Sequence, residues 1–236
     1  MKKVLLYSAF ALASLTMSTG CGDDFLELTP VSSTSEGTLS TPEGVDMLLT
    51  GAYSTLNSML SSAGGMGEAS LTNWVWGDIV GGDANKGSTA SDQPDLTQLE
   101  TWSWTSENSY IKNRWDAVYE SVKRCNNVIS LATRLADQLP NAADIIAQAQ
   151  FLKGFWMFEG IRIYGPAIPY VSVEDYETST DPQVSNVDES GNYIYIWDKV
   201  EADLKAAIAA LPATRPSGQY GRATSWQAKA VLAKFY

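Results

Sequence analysis

The chain has 236 residues, enough for one or two domains with a sizeable core, and its formal net charge is -11. It has no run of lysine or arginine long enough to follow a phosphate backbone, which excludes nucleic acid as an expected partner. It contains no histidine and only two cysteines, Cys21 and Cys125, so histidine-based catalytic pairs and a CxxC redox pair are also excluded. We expect no cofactor and no metal site.

Residues 1–20 predict a bacterial signal peptide. Two lysines precede an apolar run of 14 residues, positions 4–17, which is too short to span a hydrocarbon core of about 30 Å. Small residues at 18–20 then lead directly into Cys21, and this resembles a lipobox, in which the cysteine thiol is acylated. We therefore expect Cys21 to carry a lipid that holds the protein on a membrane. The alternative is an ordinary secreted protein in which Cys21 is a spare thiol.

Residues 21–40 are rich in serine and threonine without a hydrophobic period, which predicts a tether, and residues 41–236 are expected to form one domain. A first helix is predicted at the start of that domain, because Thr41 can cap it and Pro42 suits its first position. Apolar residues then recur at helical spacing: Val45, Leu48, Leu49, Ala52, Tyr53, Leu56 and Leu60.

Residues 61–110 lack a helical period and are dense in glycine, serine, asparagine and aspartate, which predicts a long loop. Four tryptophans lie within it: Trp74, Trp76, Trp102 and Trp104. Because they carry too much apolar surface to leave in water, we expect this loop to be ordered and functional rather than disordered.

Four further helices follow. The first has one apolar stripe from Ile111 to Ala132 that includes Cys125, expected as a small buried residue. The second begins at Pro140 or Asn141 and stops at Gly165, before an extended piece at 166–177 and a polar loop. The last two are predicted at Ile194 to Leu211, and after a Thr224 cap with Trp226, Ala228, Leu232 and Phe235.

Helices paired through short loops in this way are similar to tetratricopeptide repeats, although the 34-residue period of such repeats is not kept. The last helix is still apolar-periodic where the sequence stops, so we expect an N-terminal part of a longer protein. Four arginines are expected to be solvated or capping charges, or to pair with acids on neighbouring helices: Arg114, Arg124, Arg162 and Arg222.

Seven segments stand in a specific order along the chain: "CGDDFLEL", "TGAYSTL", "GDIVGGDANKGS", "WDAVYESVKRCNNVI", "AQAQFLKGFWMFEGIRIYGPAIPYV", "DLKAAIAALP" and "GRATSWQAKAVLAKFY". This ordered set resembles the SusD/RagB family of Bacteroidetes outer-membrane nutrient-binding lipoproteins. Gln148 and Lys153 depart from the acid and arginine that are frequent in that family, a difference expected to affect packing more than binding.

The resemblance implies a mostly α-helical fold of tetratricopeptide-like helix pairs, with long loops that build a ligand surface. It implies a surface-exposed location on the outer membrane and a TonB-dependent transporter of the SusC type as partner. Asp23 and Asp24, close behind Cys21, are similar to the acidic signal that exports such lipoproteins to the cell surface.

The long loop also has the composition of a glycan site. An oligosaccharide presents apolar faces, which stack on aromatic rings, and hydroxyl edges, which bind polar side chains. Trp74 and Trp76 alternate, as do Trp102 and Trp104, so in extended chain each pair would share a face. The candidate ligand-binding residues are Trp74, Trp76, Asp78, Asp83, Asn85, Lys86, Trp102 and Trp104.

Two other interpretations of this loop exist. The tryptophans could instead wedge the loop onto the helices. The Asp83-x-Asn85-x-Gly87 pattern resembles the start of a calcium loop, but Ser88 and Pro94 stand where that motif needs glycine and glutamate, so we reject it.

We therefore predict a non-catalytic receptor that captures a glycan and passes it to the transporter. A surface glycoside hydrolase is the rival, and it would need two carboxylates roughly 5 to 9.5 Å apart. A helical repeat scaffold that binds only protein is the third possibility.

Overall fold

The structure, a computed structural model, describes residues 39–57 and 74–236. The predicted signal peptide, Cys21, almost all of the tether, and Leu60 lie outside the described residues. The described part is mostly α-helical, as predicted, and its only β-type pairing is an isolated antiparallel bridge between Val187 and Tyr193.

Seven α-helices form in the described part of the chain. They are α1 (Pro42–Ser54), α2 (Pro94–Glu100), α3 (Ser109–Arg134), α4 (Ala142–Tyr164), α5 (Val173–Thr178), α6 (Trp197–Ala210) and α7 (Ser225–Phe235). A π-helix covers Trp74–Ile79, and 3₁₀ turns cover Thr55–Asn57 and Ala136–Gln138.

The predicted helix ends agree with the capping observed. The Thr41 side chain accepts a hydrogen bond from the Gly44 backbone N–H at 3.1 Å and so caps α1. Thr224 caps α7 in a capping box with Gln227. Gly165 follows α4 with a φ of 83°, a conformation that glycine adopts without strain.

Helix α4 lies at the centre of the fold and is buried on most of its circumference. It packs against α1 and α3 on one side and against α6 on the other, while α7 packs against α6. The Leu204 side chain lies 3.0 Å from where a Cβ on Gly154 would stand, so this glycine permits the close approach of α6 to α4. Consecutive antiparallel helices of this kind form the irregular tetratricopeptide-like pairs that the sequence predicts.

Arg114 is a core residue that pairs with an acid on a neighbouring helix, so the expected pairing is confirmed and the alternative of a solvated or capping charge is wrong. It is 1% exposed, its guanidinium lies 3.3 Å from the Glu159 carboxylate on α4, and it sits over the ring of the fully buried Trp156. The Trp156 indole N–H in turn donates to the Thr55 hydroxyl at 2.9 Å. Arg114 can be buried beside the apolar stripe of α3 because the Glu159 carboxylate and the Trp156 ring both stabilise its positive charge.

The other three arginines form ion pairs near the surface. Arg124 pairs with Glu120 and Arg162 with Glu159, each within one helix, and Arg222 pairs with Asp46 across the fold.

Lys153, on α4, forms a buried charge pair with α6. Its ammonium lies 4.0 Å from the Asp203 carboxylate and 4.3 Å from the centre of the Tyr170 ring, and the Tyr170 hydroxyl donates to Asp203 at 2.7 Å. Burial lowers the pKa of Lys153 and raises the pKa of Asp203, although the charge of each partner opposes the other's shift. Gln148 is also buried and accepts the Tyr53 hydroxyl at 2.9 Å.

Two regions that were not predicted as helical, one as a loop and one as extended chain, contain helices. Within 61–110 the structure forms the π-helix and α2, and within the segment predicted as extended, 166–177, it forms α5. Both α-helices are too short to show a full hydrophobic period, and α5 is fixed instead by a capping box between Ser172 and Asp175. Only the preceding residues to Ser172 stay extended or irregular.

We predict that Lys153→Met lowers the free energy of unfolding by about 3 kcal/mol at pH 7.5, because the Asp203 carboxylate remains buried without its cation. The deficit should shrink as the pH falls toward 5. Burial already raises the pKa of Asp203, so the folded variant binds a proton that the unfolded chain does not, and this favours folding at low pH.

Urea denaturation at several pH values measures both effects. Lys205→Met is the matched control, because Lys205 pairs with Glu201 on the exposed side of the same α6 and should change stability little. Equal stability of the two variants at pH 7.5 would contradict the prediction.

Candidate functional site

Trp102 and Trp104 form an exposed aromatic pair in the segment that joins α2 to α3. Their side chains are 67% and 40% exposed, their ring centres lie 5.7 Å apart, and the ring planes are tilted by 42°. Two adjacent indoles in water leave a large apolar area without a partner. Such a platform suits the apolar face of a sugar ring.

The backbone holds Trp102 in a conformation that disfavours it. Trp102 has a φ of 57°, in the left-handed region, at the position after the α2 C-cap where glycine is usual. The Trp102 N–H bonds the Leu99 carbonyl at 3.4 Å and the Ser103 N–H bonds the Gln98 carbonyl at 2.9 Å, which is the Schellman pattern. A bulky residue is uncommon at such a position, and this conformation makes Trp102 a candidate for a role other than stability.

Side chains at both ends of this segment fix its position. The Asp95 carboxylate accepts the Ser109 N–H at 2.9 Å and the Ser109 hydroxyl at 2.5 Å, and these bonds lower the pKa of Asp95. Asn108 caps α3 and donates to the Asp95 carbonyl at 2.8 Å. The Tyr110 hydroxyl donates to Gln93 at 2.9 Å. The tryptophan pair is therefore presented by a clamped turn.

A small separate core supports this turn. Val75 and Ile79 from the π-helix pack with Leu96 and Leu99 of α2 and with Tyr110 of α3, and all five are buried. These apolar side chains from the described part of the predicted loop are therefore buried in this small core. The core anchors residues 74–110, the described part of that loop, to α3.

Trp74 and Trp76 do not share a face, so that part of the prediction is wrong. Residues 74–79 are helical rather than extended, and residues two apart on a helix point in nearly opposite directions. Trp74 is 39% exposed, whereas Trp76 is half-buried against the small core. Trp76 thus follows the alternative interpretation, in which a tryptophan wedges the loop onto its support.

The polar candidates divide into two kinds. The side chains of Asp78 and Asp83 are exposed. Asn85 donates to the Glu100 carboxylate and accepts the Gly87 N–H at 2.7 Å, while Lys86 donates to two backbone carbonyls of the same loop, those of Thr89 and Asp92.

Asn85 and Lys86 therefore close the loop at 83–92. The bond to Glu100 ties that loop to the last residue of α2, two residues before Trp102. Among the described residues, histidine, cysteine and acidic side chains do not gather in groups of three that could hold a metal ion.

The clamp residues Gln93, Asp95 and Asn108 were not predicted from the sequence. One signal was available: Pro94 followed by Leu96 and Leu99 is a short helix start with apolar residues three apart. The partnership of Asp95 with Ser109 had no signal, because it joins two helices across the turn.

Comparison with protein families matches residues 24–236 to a SusD-like family whose description reads "Starch-binding associating with outer membrane". The match covers most of the chain, so the chain belongs to the SusD-like family, in agreement with the ordered segments of the sequence.

Two relatives and one solved structure illustrate the similarity. A SusD-like protein of Bacteroides ovatus is 29% identical over 59% of this chain and 24% of its own, and SusD-like protein P2 of Formosa agariphila is 25% identical over 96% and 42%. Surface glycan-binding protein A from Bacteroides uniformis has a TM-score of 0.60 at 21% identity, over 83% of this chain and 41% of its own. The chain thus spans less than half the length of these relatives, and the structural match shows the shared fold.

None of the helices in residues 39–57 and 74–236 has the length and apolar character needed to cross a membrane.

We predict that Trp102→Gly raises the free energy of unfolding by about 1 kcal/mol, because it removes the cost of a left-handed non-glycine residue and little buried surface. Thermal and urea unfolding measure this change. Trp156→Ala, which empties a fully buried site, should instead lose about 3 to 5 kcal/mol. Destabilisation by Trp102→Gly similar to that of Trp156→Ala would show that Trp102 serves the fold.

Proposed function

We propose that this protein is a non-catalytic receptor on the cell surface that binds a glycan and delivers it to a SusC-type TonB-dependent transporter. The observation that carries the proposal is the exposed pair of Trp102 and Trp104 on a clamped turn, in which Trp102 has a left-handed backbone conformation. Membership of a starch-binding, outer-membrane-associated family supports it, as does the likeness of the fold to a surface glycan-binding protein.

The binding surface we propose is centred on Trp102 and Trp104 and includes Trp74. Asp78 and Asp83 have exposed carboxylates that can accept sugar hydroxyls. Asn85 and Lys86 act in this proposal mainly through the loop that they close, since their polar atoms already bond within it. Trp76 contributes to this surface only indirectly, because it packs against the small core that supports the turn.

The hydrolase alternative receives less support. Its general acid would need a raised pKa and a place in a cleft. Among the described carboxyl groups whose pKa is clearly shifted, that of Asp203 is raised, but this group lies between α4 and α6 beside Lys153 and Tyr170. Burial and its core partners explain the shift, so it does not indicate catalysis.

Delivery to a transporter requires the protein to stay at the outer membrane. We propose that a diacylglycerol thioether and an N-acyl chain on Cys21 supply the anchor, because two or more acyl chains hold a protein on a bilayer without a spanning helix. Asp23 and Asp24 would direct the lipoprotein to the outer surface, and residues 21–40 would be the tether.

We predict that Trp102→Ala and Trp104→Ala each weaken glycan binding at least tenfold, since each removes a stacking face worth at least about 1.4 kcal/mol. Calorimetry with soluble starch, laminarin, xylan and mannan would identify a ligand and measure the loss. Assay of new reducing ends in the same samples tests for hydrolysis.

Trp226→Ala is the matched control, because Trp226 is 64% exposed on α7, outside the proposed surface. Binding that survives both loop substitutions but fails in the control would refute the assigned surface. New reducing ends would favour the hydrolase, and retention of the transporter without any glycan heat would favour the protein-only scaffold.

We predict that Cys21→Ala abolishes incorporation of labelled palmitate and moves the protein from the membrane fraction to the soluble fraction. The test is made in a strain without the transporter, so that the partner cannot retain the protein. Cys125→Ala is the control, because Cys125 is buried within the core and should leave lipidation unchanged. A Cys21→Ala protein that still sediments with membranes would refute the anchor.

A further inference from the structure

A cavity with aromatic lining lies along the N-terminal half of α3. It is a groove between α3 and α5, completed by residues 180–184, and we name it the α3–α5 groove. Its volume is about 440 Å³, within the roughly 300–1,000 Å³ of ordinary ligand sites. Trp115 and Tyr119 of α3 and Tyr176 of α5 line it, and all three are only half-buried.

The aromatic wall of this groove is held in place by contacts behind it. The Trp115 ring lies 5.1 Å from that of Tyr164 in an edge-to-face arrangement and 4.7 Å from that of Tyr119. The Tyr119 hydroxyl donates to the Pro169 carbonyl at 2.8 Å. A wall fixed in this way can receive a ligand without first ordering its own side chains.

The opposite wall is fixed as well. Asn126 of α3 donates to the carbonyls of Val171 and Ser172 at 3.0 and 3.1 Å, just before α5 begins. Ser130 donates to the Glu177 carboxylate at 2.7 Å. Together with the Ser172 capping box, these bonds hold Tyr176 across from the aromatic wall.

Charged side chains border the aromatic surface. Three carboxylates line the groove, those of Asp116, Glu120 and Asp181, together with one cation, Lys123. Lys112 pairs with Asp116, and Arg124 pairs with Glu120 at 2.9 Å. Two of the three lining carboxylates thus have cationic partners, and Asp181 and Lys123 add one charge of each sign to the border. Such a border can both accept from and donate to the hydroxyl groups of a neutral ligand.

A neutral ligand with apolar faces and many hydroxyl groups meets all of these features. Its faces can stack on the rings of Trp115 and Tyr176, and its hydroxyls can donate to the carboxylates and accept from Lys123. Burial raises the pKa of Tyr176 to about 12, so its hydroxyl remains a donor at neutral pH.

Trp115 follows Ile111 by four residues on α3, and Ile111 packs against the small core below the tryptophan pair. The groove therefore begins one helical turn from the support of the first surface.

We propose that the α3–α5 groove is a second saccharide-binding subsite, distinct from the surface around Trp102 and Trp104. The proposal rests on the proposed function, in that both sites serve capture of a glycan. A second subsite would let the receptor hold a longer chain by two contacts joined through one ligand, which raises the effective affinity.

The test is fluorine NMR of the full-length protein labelled with 5-fluorotryptophan, with the Trp102, Trp104 and Trp115 signals assigned by single tryptophan-to-phenylalanine variants. The probes are maltohexaose, laminarihexaose, xylohexaose and mannohexaose. We expect at least one of them to shift the Trp115 signal in a saturable way. Tyr176→Ala should weaken that titration about tenfold, whereas Tyr176→Phe, which keeps the ring, should not.

Tyr195→Ala is the control, because Tyr195 is 58% exposed and does not line the groove. Shifts confined to Trp102 and Trp104 would overturn the second subsite and leave the proposed function standing. Absence of any shift with all four probes would overturn both. A Trp115 shift with N-acetyl-lysine methyl ester, but with none of the sugars, would show a site for cationic side chains and overturn the saccharide assignment.

Discussion

The burial of α4 on most of its circumference is the constraint on which the rest of this fold depends. A helix in that position must find a partner for every polar side chain it carries, because an unpaired polar group in the core costs several kcal/mol. Gln148, Lys153 and Glu159 are such side chains, and their partners lie on α1, α6 and α3. The polar pairs of one central helix thus fix the positions of three others.

Helix α3 connects the core to both proposed ligand surfaces. It has 26 residues, which at 1.5 Å each is a rod of about 39 Å. Its C-terminal half is packed in the core with α1 and α4, and its first turn holds the clamp around Asn108 and Ser109. The turn that presents the tryptophan pair is thus attached to a helix that is itself fixed in the core, and a preorganised support of this kind suits the stacking site we propose.

The small core beneath the tryptophan pair separates support from function. Leu96 and Leu99 are buried and stabilise the turn, whereas Trp102, three residues on, is exposed in a left-handed conformation. Stability alone would favour glycine at this position. Two residues close to the ends of α2, Gln93 and Trp102, have left-handed backbone conformations, but Gln93 accepts the Tyr110 hydroxyl within the fold whereas the Trp102 side chain is exposed. A local rule broken at an exposed residue is compatible with a role outside the fold.

Much of the architecture follows from the sequence, because the period of the apolar residues and the capping residues both indicate where long helices lie. Thr41, Thr224 and Gly165 mark helix ends as predicted, and the stripe through Cys125 is buried as predicted. The helical class, the family and the location of an aromatic loop were all within reach of local pattern and segment order.

Tertiary structure alone decided which of the loop tryptophans face water and which charges enter the core. Trp76 and Trp102 sit in similar sequence surroundings, but one packs on a small core and the other does not. The burial of Arg114 depends on Glu159 and Trp156, which lie on α4 and are about 40 residues away in sequence. These outcomes depend on contacts between residues far apart in sequence, and the period of a single helix carries no information about its partners.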